Sequence, residues 1–265
     1  MGAWAAALLL ISCGRCGGPE LVPLIEFGRT QRLATAGSEV FGINEAVSIP
    51  EAWIERGWIH PDEEPAELTA DAQLSAALGA GIVRGNSPVY PYLSHYGHRA
   101  QGGDWTRSDH WVRAVQDAGL DALLVLGPWP GNRTGAYTAS YIPSDLDAYD
   151  AYLRAVVERY DGDGDSDMPG LKRPIRYWEI DNEPDLHNSA PARGTPNPPE
   201  PSQFQTPAEY AQILIRSARV IRETDPNATI LSAGLFRPHH SSGRDYLEAM
   251  LAIPGVRESI DILSL

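Results

Sequence analysis

Short apolar runs alternate with amphipathic helical stretches along this chain, and that alternation restricts its fold more than any other feature. Short apolar runs of strand length fall at 39–44, 82–86, 122–126, 175–180, 229–233 and 260–265. Between them, 69–78, 108–118, 144–160, 206–223 and 244–251 carry apolar positions at helical spacing, several opened by a Ser or Thr able to cap the first free amides. A strand followed by a crossover helix returns the chain for another strand in the same direction, so the series predicts a parallel sheet covered by helices. A doubly wound sheet and a (β/α)8 barrel both satisfy it. With 265 residues the chain has the length of one barrel-sized domain.

Charge narrows the partners. Lys and Arg total 21 against 35 Asp and Glu, a formal charge of −14. Such a chain is repelled by phosphate backbones and anionic lipid, which removes nucleic acid from the expected partners. The 25 glycines and 22 prolines are spread between the periodic segments, as structured loops require. The longest loop follows the fourth strand, over about 185–205, with Pro191, Pro196, Pro198, Pro199 and Pro201.

The first residues differ from the rest. An apolar run over 3–11 is too short to span a bilayer and has the character of a signal peptide. The following Leu10-Ile11-Ser12-Cys13 is similar to the lipobox of bacterial lipoproteins, which implies a lipid on Cys13 and an exported protein of the cell envelope or exterior. On this reading the membrane is a partner only through that lipid. Residues 1–18 are then expected to form the signal peptide and lipoprotein-type linker, and 19–265 the folded α/β domain. Cys13-Gly14-Arg15-Cys16 matches the spacing of a redox pair, but no strand precedes it and no helix follows, so Cys16 reads as a linker thiol. A core of this size needs no disulfide.

Chemistry enters at the fourth strand. Tyr177-Trp178-Glu179-Ile180 runs directly into Asp181-Asn182-Glu183-Pro184-Asp185. A carboxyl group at a strand end, held in a partly desolvated pocket, can serve as a general acid. Adjacent strand residues point to opposite faces, so Asn182 and Glu183 both enter one site only if the strand bends, and Pro184 is the expected bend.

The Asn-Glu-Pro run resembles the signature of the clan of retaining glycosidases with eight-fold barrels, and Trp-Glu-Ile-x-Asn-Glu-Pro-Asp is most similar to glycoside hydrolase family 39. That resemblance implies a TIM barrel of which about the first six strands are present here. It also implies Glu183 as acid/base, Asn182 as the holder of the sugar 2-hydroxyl, and β-xylosides or similar oligo- or polysaccharides as substrates. Asp181 stands where many relatives carry a Trp. Ile82-Val83-Arg84-Gly85-Asn86 resembles the clan strand whose Arg orients the nucleophilic carboxylate, which makes Arg84 that candidate; an ordinary salt bridge is the other reading.

Further candidates are weaker. Trp129, in Gly127-Pro128-Trp129-Pro130, follows the third strand and offers a flat face for a sugar ring, as do Tyr90, Tyr92 and Trp105, whereas Trp178 reads as core. Asn44 and Glu45 end the first strand, where lining the pocket and capping the following turn are both open readings; His239 and His240 follow the fifth and are candidates to contact substrate, a pair that lacks the third ligand of a zinc site. In Asp161-Gly162-Asp163-Gly164-Asp165-Ser166-Asp167, alternate carboxylates suggest a structural calcium ion. Lys172 stands where an EF-hand places its Glu, and a solvated acidic turn is the competing reading. The expected chemistry requires no cofactor.

A retaining enzyme needs a second carboxylate about 5 Å from the first, which the resemblance places on a seventh strand. The expected sixth strand ends at Leu265, so the nucleophile is expected beyond it, and these residues alone are expected to be an inactive truncated hydrolase. The alternative is a non-catalytic carbohydrate-binding lipoprotein on a degenerate barrel, which has no need of Glu183. A nucleotide-binding doubly wound sheet lacks its Gly-rich phosphate loop.

Overall fold

The computed structural model describes residues 42–44, 62–85, 105–127, 143, 145–185, 205–236, 238–239 and 241–264. The chain divides into a unit Met1–Ala36 and a unit Gly37–Leu265, and every described residue belongs to the second. The leader, Cys13 and Cys16, as well as Tyr90, Tyr92, Trp129 and His240, lie outside the described residues. Among the described residues no helix is long and apolar enough to cross a membrane.

Five strands form one sheet: β1 (Gly42–Asn44), β2 (Ile82–Gly85), β3 (Asp121–Leu126), β4 (Tyr177–Ile180) and β5 (Thr229–Ser232). Every pairing is parallel and the order is β1-β2-β3-β4-β5. This order decides between the two architectures. A doubly wound sheet reverses direction at a switch point, whereas a barrel adds each strand beside the last. The helices are α1 (Glu64–Ala77), α2 (Thr106–Asp117), α3 (Leu146–Tyr160), α4 (Pro207–Thr224), α5 (Ser241–Leu251) and α6 (Val256–Ser259).

Alternation along the strands assigns the two faces of the sheet. A Cβ on Gly85 would lie 2.8 Å from the Trp111 ring of α2, so Gly85 and Val83 face the helices. Paired residues share a face, and Ala122, Leu124, Leu126, Trp178, Ile180 and Ile230 join Val83, Trp111, Tyr149 and Tyr210 in one buried cluster. The opposite face therefore carries Arg84, Leu123, Val125, Glu179 and Leu231. It is the inner face of the barrel wall, and it holds the charged pair.

Helices α1 and α3 start away from the expected Ser or Thr. Helix α1 begins at Glu64 rather than 69, because Pro65 fits the first turn, where its missing N–H costs nothing. The Thr69 hydroxyl instead donates back to the Pro65 carbonyl at 2.7 Å. Helix α3 begins at Leu146, its cap being Asp145, whose Oδ1 accepts from the amides of Asp147 at 3.1 Å and Ala148 at 2.9 Å.

Helix α4 has the full capping box. Glu209 N–H donates to Thr206 Oγ1 at 3.2 Å, and Thr206 N–H donates to Glu209 Oε2 at 2.7 Å. Thr206→Ala is expected to cost about 1 kcal/mol, read as a lower denaturant midpoint at unchanged slope.

The sixth expected strand is corrected to a single parallel bridge, Leu231 to Ile262. Side chains interrupt its ladder. The Asp261 carboxylate accepts the Ile230 N–H at 2.8 Å, and the Ser232 hydroxyl accepts the Ser264 N–H at 3.0 Å.

Candidate active site

The site grows from the end of β4. Asp181 N–H still donates to Leu126 O of β3 at 2.7 Å, but Glu183 N–H crosses to Gly234 O, just beyond β5, at 2.9 Å. Between them the backbone takes left-handed angles at two non-glycine residues, φ +71° at Asp181 and φ +53° at Glu183. Each such residue costs of the order of 1–3 kcal/mol and persists only where its surroundings over-determine it. Here the over-determination is visible. The Asp181 carboxylate accepts the Asn182 N–H at 2.7 Å, and the Asp185 carboxylate accepts the Phe236 N–H at 2.7 Å. The expected bend is thus present, carried by Asp181 and Glu183 ahead of Pro184.

Tyr210 of α4 pins the same region from the helix side. Its hydroxyl donates to Ile180 O at 3.0 Å and accepts from Ala233 N–H at 2.6 Å, tying the end of β4 to the end of β5. Burial raises its phenol well above the ordinary range, so the group stays protonated and able to donate.

Arg84 organises the inner face. Its Nε and Nη2 donate to Glu179 Oε2 and Oε1 at 2.6 and 2.8 Å, a bidentate pair across the intervening strand β3. Nη2 also reaches Asn182 Oδ1 at 2.9 Å, and Nη1 reaches Asn44 Oδ1 at 3.0 Å. Glu179 is 2% exposed and accepts a third bond from Gly234 N–H at 2.9 Å. The structure therefore brings together three of the residues singled out in the sequence, Asn44, Arg84 and Asn182, with Glu183 adjacent in the chain and half-buried.

Glu179 was not singled out. Its signal was a charged residue inside an otherwise apolar strand, which demands a partner once buried. Trp178 is fully buried in the core, as expected. Trp105 packs edge-on against Tyr160 with the Arg159 guanidinium 5.7 Å from its ring, so it stabilises the helical layer. His239 is exposed.

The acidic loop after α3 closes on itself. Asp167 accepts the amides of Gly162 and Gly164, each at 2.9 Å, and Asp163 accepts that of Asp165 at 2.8 Å. Among the described residues no three His, Cys, Asp or Glu side chains are grouped to hold a metal ion. Asp161 is buried, and that burial, reinforced by Asp163, Glu158 and Asp167, pushes its carboxyl from 3.8 up to about 6. The raised value means that its protonated form favours the fold. The contribution is full below 3.8 and lost as pH rises through 6. Asp161→Asn is therefore expected to flatten the fall in stability across this window and to raise the urea midpoint at neutral pH, since the amide oxygen still accepts from Asp163 N–H.

No protein-family model matches the chain, and no curated protein matches it in sequence. Solved structures do. The glucosidase of Croceicoccus marinus superposes with a TM-score of 0.50 at 17% identity, over 73% of this chain and 39% of its own. A GH30 endoxylanase from Clostridium papyrosolvens gives 0.48 at 15%, over 84% and 48%, and a family 39 glycoside hydrolase from Bacteroides cellulosilyticus 0.37 at 18%, over 66% and 31%. The chain spans less than half the length of each. At these identities the likeness concerns the fold. The described residues have the fold of part of a parallel (β/α) barrel, as in the glucosidase.

Proposed function

We propose that the protein hydrolyses O-glycosidic bonds with retention of configuration, with Glu183 as acid/base. The supporting observation is the left-handed excursion at Asp181 and Glu183, which departs from β4 at its C-terminal end and sets Asn182 against Arg84. Barrel enzymes carry their chemistry at that end of the strands, and backbone strain concentrates where function requires it. In the first step Glu183 gives its proton to the glycosidic oxygen as the C–O bond breaks, while a second carboxylate forms a bond to the anomeric carbon. In the second, Glu183 takes a proton from water, whose oxygen attacks the same carbon and displaces that carboxylate. Asn182 holds the sugar 2-hydroxyl, and no cofactor takes part.

The second carboxylate is a group outside the described residues. Glu179, the other carboxylate of the cluster, is buried and committed to Arg84 and the Gly234 amide. Tests therefore use the whole protein. The substrates on this reading are β-xylosides or related oligo- or polysaccharides, reached by an exported enzyme anchored through Cys13. The test is NMR of the first sugar released from aryl β-glycosides. A β-anomer supports the proposal, and an α-anomer, or no turnover of any glycoside, contradicts it.

A further inference from the structure

Glu179 takes no part in the reaction above, yet it fixes the groups around it. Its carboxylate accepts three bonds, two from Arg84 and one from Gly234 N–H. The guanidinium it holds reaches the amide oxygens of Asn44, at the end of β1, and of Asn182, beyond β4, at 3.0 and 2.9 Å. Arginine has donors only, so each amide must present its oxygen to Arg84 and keep its N–H2 for another partner. Asn44 is exposed and Asn182 half-buried, so both lie where a ligand can meet them. Because one guanidinium holds both, the two amides lie within the span of a single sugar ring and its hydroxyls.

We propose that Glu179 is a positioning residue which, through Arg84, orients the Asn44 and Asn182 amides as a pair of N–H donors for the hydroxyl oxygens of one sugar. The inference rests on the glycosidase reading and extends it to specificity. A donor-only array accepts neutral sugars with a free 2-hydroxyl and disfavours cationic 2-amino sugars, which offer an ammonium donor in place of an acceptor.

Glu179→Gln in the whole protein tests this. The variant removes the charge and turns an N–H2 towards the guanidinium, releasing both asparagines. The kcat/KM for an aryl glycoside should fall by about tenfold or more, the worth of a hydrogen bond to a charged group. The advantage of the 2-hydroxy substrate over its 2-deoxy analogue should shrink by the same factor, and adding Asn182→Ala should cost little more. An equal loss on both substrates would mean a merely structural role and would overturn the proposal. Asn44→Ala leaves the ion pair intact and should lower kcat/KM on its own. If Glu179→Gln fails to fold, Glu179→Asp, too short to serve Arg84 and the Gly234 amide together, is read in the same way.

A readout independent of turnover is the ¹⁵N–¹H spectrum of the asparagine side chains, assigned with Asn44→Ala and Asn182→Ala. Both N–H2 signals should move in Glu179→Gln without any substrate, and unmoved signals overturn the proposal. Moved signals in a protein that cleaves no glycoside would leave the role of Glu179 standing and place the failure on the glycosidase reading.

Discussion

Glu183→Ala in the whole protein is expected to slow hydrolysis of a glycoside with a poor leaving group by about 100- to 10,000-fold, the usual worth of a positioned general acid. The loss should depend on the leaving group. An alkoxide must be protonated as it departs, whereas a dinitrophenolate leaves without help, so the first step on a dinitrophenyl glycoside should be nearly unaffected. The second step still needs a base, and the glycosyl-enzyme should then accumulate as a burst. Position supports the assignment as well as residue type: Glu183 N–H is tied to Gly234 O, and the preceding Asn182 is tied to Arg84. Loss of stability is a separate matter, and an unchanged thermal midpoint separates the two effects.

Arg84→Met is expected to destabilise the fold by about 3–5 kcal/mol, because it leaves a buried carboxylate with no compensating charge. Glu179 is 2% exposed on its side chain and Arg84 18%, so water does not replace the lost guanidinium. Urea denaturation measures this. The partner change gives the discriminating result: replacing both residues by apolar side chains, Arg84→Met with Glu179→Leu, should recover most of the stability, since an ion pair in this setting adds little over good packing. Activity should not return, because Asn44 and Asn182 would still lack their common anchor. A double variant as unstable as the single one would contradict this account of the pair.

The architecture was legible because the period of apolar residues changes from strand to helix and back five times, and parallel pairing follows from crossover helices alone. Asn182 and Glu183 stood out as residue types at a strand end, and the structure places both just beyond β4. The bend was legible as a requirement but not at its true positions, since Glu is not a residue that favours φ > 0. Glu179 was visible as an anomaly and silent about its partner. Arg84 lies 95 residues earlier, and no local pattern encodes a contact across the inside of a barrel wall. The helix starts were misplaced for a simpler reason, in that Pro65 fits a first helical turn as well as any residue and Asp145 caps as well as the Ser144 that precedes it.

The central claim, Glu183 as acid/base of a retaining enzyme, is tested most directly by azide rescue of Glu183→Ala on a dinitrophenyl β-glycoside. Azide needs no base to attack the anomeric carbon of the glycosyl-enzyme. The account predicts that added azide restores turnover and that the product is the β-glycosyl azide. Turnover indifferent to azide, or an α-glycosyl azide, would contradict it.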